Sequence, residues 1–433
     1  MKRLTTAVLL LLAPAITSAQ TKLTFDGALQ RALEVNNSVE RSRHEVGIAK
    51  ANKELLLSAV MPRITATGNL QRNSISESFG GGDDEVTILP RNNWDYRITI
   101  SQPVFAGRRE LRAYSQSKLN ISNAQEGLRQ TEDAALLRVA SSYLAIVNAD
   151  RRMEIENRNI ELADKRLVQA KAFYDAGEVT KVDVFRAETA RKAAQRLLAA
   201  AQQTREHAVS LLREDLDLDG AVEVETPANV FPVLPAESEL LARAESSRPE
   251  IAFAKNNVRI ASLEVSKQRG FWLPTVLFDG GWINQKTSFP ADHYAYGALR
   301  FNIPLFQAGE VIARVAGAKE REKQAEIALE EAKIAVREDV HTALADLQTA
   351  ETSLGLANEQ LAAAEAEYAQ AFDLYRAQEA TSLDLASSET SLADARRAVA
   401  EETLNRDLAS LRVWFTTGTM KHTLGLAPAK ESR

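Results

Sequence analysis

The sequence predicts a mainly α chain with a small β part, built as a duplicated unit of strand, strand, long helix and return helix. Three observations predict it. A run from about Gly309 to Gln378 holds two interleaved seven-residue registers. One is Val340, Leu347, Leu354, Leu361, Tyr368 and Tyr375; the other is Ala343, Ala350, Ala357, Ala364 and Ala371. Apolar residues alternating at spacings of three and four mark a helix seam that packs against other helices. The same run occurs earlier, as Val139, Ile146, Met153, Ile160, Leu167 and Tyr174 with Ser142, Ala149, Glu156, Ala163 and Ala170. Before each run the period changes from helical to two. A helix of ~70 residues is on the order of 100 Å long, beyond the need of an ordinary globular domain. The chain reads as a rod or tunnel built twice.

A length of 433 residues suggests two or three domains, and the repeat narrows this to two fused copies. The expected organisation is a signal peptide at 1–19, a first structural repeat at 20–215, an inter-repeat segment at 216–237, a second repeat at 238–415 and a polar tail at 416–433. Residues 1–19 carry Lys2 and Arg3, an apolar core from Ala7 to Leu12, and Thr17-Ser18-Ala19 for cleavage before Gln20. That core is too short to span a bilayer. A net charge of -6 argues against a nucleic-acid partner. The absence of cysteine excludes disulfides, thiolate metal sites, a cysteine nucleophile and lipid attachment through an N-terminal cysteine.

Residues from about 24 to 61 read as one helix, capped by Thr24 with Asp26 nearby and ended by Pro62. Its counterpart runs from Ser238 to Leu273 and ends at Pro274. Strands follow each proline, at about 63–105 and 275–306. In the first copy Ile64, Ala66, Gly68 and Leu70 alternate with Thr65, Thr67, Asn69 and Gln71. After a glycine-rich acidic loop, Gly80 to Glu85, Trp94, Tyr96, Ile98 and Ile100 alternate with Asp95, Arg97, Thr99 and Ser101. In the second copy Val276, Phe278 and Trp282 share one parity, and Leu299, Phe301 and Ile303 follow. Strands of ~10 residues with one apolar and one polar face are the pattern of a transmembrane β-barrel, and Trp94, Trp272 and Trp282 suit its interfacial girdles. A half-buried sheet in a soluble sandwich gives the same alternation. Pro103 and Pro304 are expected to mark strand-to-helix transitions.

Each long helix ends in a matched corner, Tyr174 to Asp183 and Tyr375 to Asp384, with Tyr, Glu, Thr and Asp at identical spacing. Thr180 with Asp183, and Thr381 with Asp384, fit capping boxes. If copies gather around an axis, the same carboxylates ring one end of a tunnel and select by charge. Tyr174 and Tyr375 continue the helix seam, which favours packing over a switch role. The five histidines show no metal-ligand spacing, Gly80 to Gly82 lack the residues of a phosphate loop, and no catalytic constellation, cofactor site or metal site is expected.

The ordered set of signal peptide, duplicated unit and Tyr–x8–Asp corner resembles the TolC-like outer membrane efflux proteins. The segments that carry it are Ser101 to Gly107, Tyr174 to Asp183, Arg248-Pro249-Glu250-Ile251 and Ile303 to Gly309. The resemblance implies a homotrimer whose protomers share one outer-membrane β-barrel, continued by a long α-helical periplasmic barrel. It implies a passive exit duct of a tripartite efflux pump or type I secretion system, docked to a periplasmic adaptor (membrane fusion) protein and an inner-membrane transporter. It places Asp183 and Asp384 at an acidic periplasmic entrance, with Tyr174, Tyr375, Thr180 and Thr381 in corner packing or gating. It turns Trp94, Tyr96, Ile98, Ile100, Leu299, Phe301 and Ile303 toward outer-membrane lipid. Two departures stand out: Ser387 where the family often has a second acid, and Gln378 opposite Gly177. The reading from another class is a soluble periplasmic coiled-coil scaffold or adaptor.

Overall fold

The structure is a computed structural model that describes residues 21–80, 86–227, 234–287, 291–377 and 379–426. The signal segment, residues 81–85 of the acidic loop, Gln378 and the last seven residues lie outside them. The chain divides into two compact units. One comprises residues 41–131 and 237–340; the other comprises 1–40, 132–236 and 341–433. In chain order the elements are β1 (Thr21–Leu23), α1 (Phe25–Val35), α2 (Asn37–Ser58), β2 (Arg63–Arg72), β3 (Glu77–Phe79), β4 (Val86–Leu89) and β5 (Asn92–Ala106). Then come α3 (Arg109–Asp175), α4 (Lys181–Leu216), β6 (Val222–Val224), α5 (Glu237–Ser247), α6 (Pro249–Arg269), β7 (Thr275–Gln285), β8 (His293–Asn302), α7 (Glu310–Arg376), α8 (Ser382–Thr416) and α9 (Met420–Thr423). The long helices α3 and α7 have 67 residues each.

In the unit of residues 41–131 and 237–340, four strands form an antiparallel sheet in the order β2-β5-β7-β8. The register decides the faces, because side chains opposite each other in a ladder point the same way. Ile98 pairs with Ala66 and Trp282, Trp94 with Leu70, Tyr96 with Gly68, and Ile100 with Ile64. Phe278 pairs with Leu299, and Val276 with Phe301. One face therefore collects Trp94, Tyr96, Ile98, Ile100, Leu299 and Phe301, and most of its large side chains are exposed. Ile303 keeps the parity of Phe301 but lies one residue past the end of β8.

The opposite face is polar. Thr65 and Thr99 share a 2.7 Å hydrogen bond, Arg97 pairs with Asp95 at 2.8 Å, and Arg300 pairs with Asp279 at 3.0 Å. Among the described residues β2 and β8 each pair on one side only in this sheet. Pro103 lies inside β5, not at its end, at an irregularity between Pro103 and Phe105. A proline lacks the N–H that a regular ladder needs, so a bulge is where it fits.

The strand-to-helix bends use left-handed backbone. Gly107 and Arg108 have φ of 64° and 63°. A Cβ on Gly107 would run into the Gly270 carbonyl oxygen. Ala308 and Gly309 make the second bend with φ of 45° and 82°. Beside these bends the Phe271 ring sits between two guanidinium groups, Arg109 at 4.5 Å and Arg314 at 4.9 Å from its centroid. A ring face attracts each cation.

In the same unit the seam of α3 turns polar. Gln116 donates to the Ile260 carbonyl and to Glu264 at 3.0 Å, Asn123 donates to Asn257 at 3.1 Å, and Gln130 donates to Glu250 at 3.2 Å. Burial works to raise the Glu264 carboxyl, yet hydrogen bonds from Lys267, Gln116 and Gln268 hold it down at about 2. Arg248 precedes Pro249, has a buried side chain, and reaches Glu250 at 2.8 Å and Asp339 at 3.0 Å. The α conformation is disfavoured before proline, so α5 and α6 are two helices where one continuous helix was expected.

The unit of residues 1–40, 132–236 and 341–433 holds an extensive apolar core. Leu29, Leu136, Val139, Tyr143, Ile146, Leu212, Leu216, Val222 and Met420 are buried together. Phe25 meets the Tyr143 ring edge-on at 5.3 Å. The Tyr143 hydroxyl lies 2.8 Å from the Leu23 carbonyl and 2.7 Å from the Glu225 carbonyl, and accepts from the Glu225 N–H at 3.0 Å. It thereby ties down the parallel pair β1 and β6.

Two expectations change in this unit. The helix expected from about 24 to 61 breaks at Asn36, whose side chain accepts from Ser38 N at 3.0 Å and so starts α2 anew. The segments expected between and after the repeats also enter the core. Val222, Met420 and Leu426 are buried, so the stretch after Gly418 is not a solvated tail as far as Leu426.

Candidate functional site

The matched corners lie at the α3–α4 and α7–α8 turns. In the first, Gly177 takes φ 79°, its N–H reaches the Tyr174 carbonyl at 2.9 Å, and Glu178 N–H reaches the Phe173 carbonyl at 2.9 Å. These bonds satisfy carbonyls left open at a helix end. In the second, Glu379 N–H reaches the Leu374 carbonyl at 2.9 Å.

Both return helices start in capping boxes. Asp183 Oδ2 accepts from Thr180 N at 3.2 Å and Oγ1 at 2.9 Å. Asp384 Oδ2 accepts from Thr381 N at 2.9 Å and Oγ1 at 2.7 Å. In each, the acid at the third helical position satisfies the cap N–H. The two aspartates then diverge. Asp183 Oδ1 also accepts from the Ser382 hydroxyl and lies 3.5 Å from Arg186, whereas Asp384 is exposed. The Ser382 hydrogen bond leads the causes that hold Asp183 below the usual carboxylate range; the Thr381 side-chain and backbone bonds do the same for Asp384.

The tyrosines also part ways. Tyr375 is 5% exposed and packs on the Phe173 ring at 5.9 Å, but Tyr174 is 43% exposed. The shared seam position therefore buries only the second of them. Burial pushes the Tyr375 phenol up, with Arg166 opposing and Asp183 and Glu389 reinforcing the shift.

Around Ser382 lies a network that spacing alone did not assemble. Arg166 on α3 has a side chain only 4% exposed. It donates to Glu389 Oε2 at 2.8 Å and to the Ser382 carbonyl at 3.0 Å. Farther along the helices Glu156 pairs with Arg397 at 3.1 Å, and Arg397 also meets Asp394 at 2.8 Å. Burial pushes the Glu389 carboxyl up against the pull of Arg166. A groove of about 790 Å³ follows this line between α3, α4 and α8, with Ala163, Ala190, Ala193 and Ala386 in its lining. The signal for the network was present at Glu156, a carboxylate in a register otherwise filled by small residues. An α-helix buries such a charge only with a partner.

Among the described residues no group of three or more His, Asp or Glu is placed to hold a metal ion. No described helix is long and apolar enough to cross a membrane.

The family described as outer membrane efflux protein matches the chain over residues 28–216 and 240–419. Outer membrane efflux protein BepC of Brucella suis biovar 1 (strain 1330) is 25% identical over 342 residues, which span 76% of this chain and 71% of that protein. A crystal structure of CusC, described for its folding and transmembrane channel formation, superposes with a TM-score of 0.79 at 18% identity, covering 91% of this chain and 92% of that one. The outer membrane protein VceC of Vibrio cholerae superposes with a TM-score of 0.76 at 14% identity, covering 91% and 96%.

Proposed function

The chain belongs to the outer membrane efflux protein family, and from that premise we propose that it acts as a passive exit duct of a tripartite efflux pump or type I secretion system. In this reading three copies close a barrel around a water-filled bore. A periplasmic adaptor joins them to an inner-membrane transporter, which supplies the energy. The carrying observation is the four-stranded sheet with an exposed apolar face, a polar face, and β2 and β8 at its two edges. Four strands cannot close a barrel, and an open edge in hydrocarbon leaves unsatisfied backbone groups. Pairing β8 of one copy with β2 of the next removes every edge. A ten-residue strand such as β2, rising ~3.4 Å per residue and tilted ~40°, covers roughly the 25 Å apolar band of an outer-membrane barrel.

At the corners Asp384, held only by Thr381, is the exposed carboxylate, while Asp183 is occupied by Thr180, Ser382 and Arg186. The acidic entrance therefore rests chiefly on Asp384. A soluble scaffold leaves the apolar sheet face without a solvent that suits it.

The test is fractionation and reconstitution. The protein is expected in outer membranes, released only by detergent, as an oligomer that forms ion-conducting pores in planar bilayers. Release as a monomer by mild lysis without detergent would exclude the duct.

A further inference from the structure

The polar face of the four-stranded sheet is charged in a particular order. The ladders place its side chains in rungs. Arg63 lies opposite Ser101, Ser101 opposite Asp279, and Asp279 opposite Ala298. Arg300, opposite Leu277, sits one rung before them. On the other side come Thr65, Thr99, Gly281 and Tyr296, then Thr67, Arg97, Ile283 and Tyr294, then Asn69, Asp95 and Gln285. Within the four strands the charges of this face are therefore Arg63, Arg97 and Arg300 against Asp95 and Asp279. The chain as a whole carries -6, yet this face is positive.

The ion pairs add a depth that a count misses. In the pair of Arg97 with Asp95 the arginine side chain is 50% exposed and the aspartate 14%. In the pair of Arg300 with Asp279 the values are 69% and 18%. Each guanidinium thus screens its own carboxylate from water. Arg63 is exposed as well, and has no ion-pair partner among the described residues. A solute passing along this face meets three guanidinium groups, and the two carboxylates beside them are already engaged.

We propose that this face is an anion filter and that the cargo of the duct is anionic, a solute carrying carboxylate, sulfonate or phosphate. This rests on the duct reading, in which the polar face lines the bore and every copy contributes the same three arginines. Rings of Arg or Lys serve anion and phosphate pores, as rings of Asp or Glu serve cation channels. A guanidinium also offers a planar fork of N–H donors that matches two oxygens of one such group. Arg63 opens β2 and Arg300 lies near the end of β8, so both stand where the sheet joins the helices, with Arg97 farther along. Spaced, exposed contacts hold an anion loosely enough to let it move on.

The test reads reversal potentials of pores formed by the full-length protein in planar bilayers under a KCl gradient. D384A removes the exposed corner carboxylate, and in that background the pore is expected to pass chloride in preference to potassium. Adding R63Q should lower the chloride-to-potassium permeability ratio roughly two- to threefold, the Coulomb effect in water of a unit charge ~7 Å from an ion. Arg63 is exposed and unpaired, so this variant is expected to assemble. D95N/R97Q and D279N/R300Q keep the net charge but remove the screening guanidinium. Each is expected to lower the ratio too, which net charge alone would not do. R72Q, at the far end of β2 and on the apolar face, should leave the ratio unchanged. Added tripolyphosphate should reduce the current through the D384A pore, and reduce it less once R63Q is present. A D384A pore that prefers potassium would overturn the filter, and so would an R63Q ratio equal to that of its background. If the parent protein forms no pore at all, the duct reading itself has failed.

Discussion

Tyr143 is a fully buried side chain in the core of its unit. Its ring is buried among Leu136, Val139 and Ile146, and its hydroxyl serves three backbone groups. Tyr143→Phe keeps the ring and removes the hydroxyl, while the Glu225 N–H keeps the Leu23 carbonyl at 3.2 Å. A loss of about 1 kcal/mol is expected in denaturant unfolding, the net worth of one such hydrogen bond. Burial leads the causes that push this phenol up to about 12. A raised pKa means the folded state holds the proton more tightly. Its contribution is complete below the ordinary tyrosine value near 10 and is lost as pH rises toward about 12. The parent should therefore lose stability over that window faster than the Phe variant, and parallel slopes would refute the assignment.

Arg166 allows a cleaner separation of pairing from packing. Arg166→Ala leaves Glu389 buried without its cation and is expected to cost about 3 kcal/mol. The double variant R166M/E389L, which removes both charges, is expected to recover most of that loss. At the corners, Asp384→Ala should change cation preference in planar bilayers. Asp183→Ala should mainly lower the melting temperature, by losing a cap worth ~1 kcal/mol. Both carboxyls are held low, so their capping is present above the ordinary carboxylate value and is lost only as pH falls below it.

Among the elements, the strands give the sharpest test, because the register sorts their side chains onto two faces. A charge at Ile98 or Phe301 should impair assembly in the membrane, by roughly 2–4 kcal/mol if it sits at mid-depth, whereas Thr99→Asp on the polar face should be tolerated. Equal yields of assembled protein would show that the apolar face does not meet lipid. The long helices were legible because heptads and the change of period are local signals, read without knowing any partner. Helix breaks were less so. Asn36 interrupts an amphipathic run by accepting from the N–H groups of Ser38 and Val39 with its side chain, a competition that periodicity does not register. Pro249 was visible in the sequence, yet the apolar pattern on either side of it masked the break. The three-residue strands β1 and β6 are too short for any alternation, and only the Tyr143 hydroxyl and their mutual pairing define them.

For the whole molecule, the duplication explains both what was legible and what was not. Two copies of one pattern announced the fold class, and the family match extends over both. Corresponding positions suggested corresponding environments, and there the inference stopped short. Tyr174 and Tyr375, or Asp183 and Asp384, occupy equal places in their repeats but face different neighbours within one chain. A partner from another repeat, such as Ser382 for Asp183, is a tertiary fact that spacing does not carry.

The two left-handed bends before α3 and α7 show the same divergence from another side. In one the glycine comes first, followed by Arg108; in the other it comes second, preceded by Ala308. The backbone path outlived the residue that makes it easy, so geometry has been inherited more faithfully than chemistry. Anyone splicing half of this chain onto a cousin should align by torsion angle, since matching glycine to glycine would set Arg108 against Glu310 and slip the graft by one peptide unit.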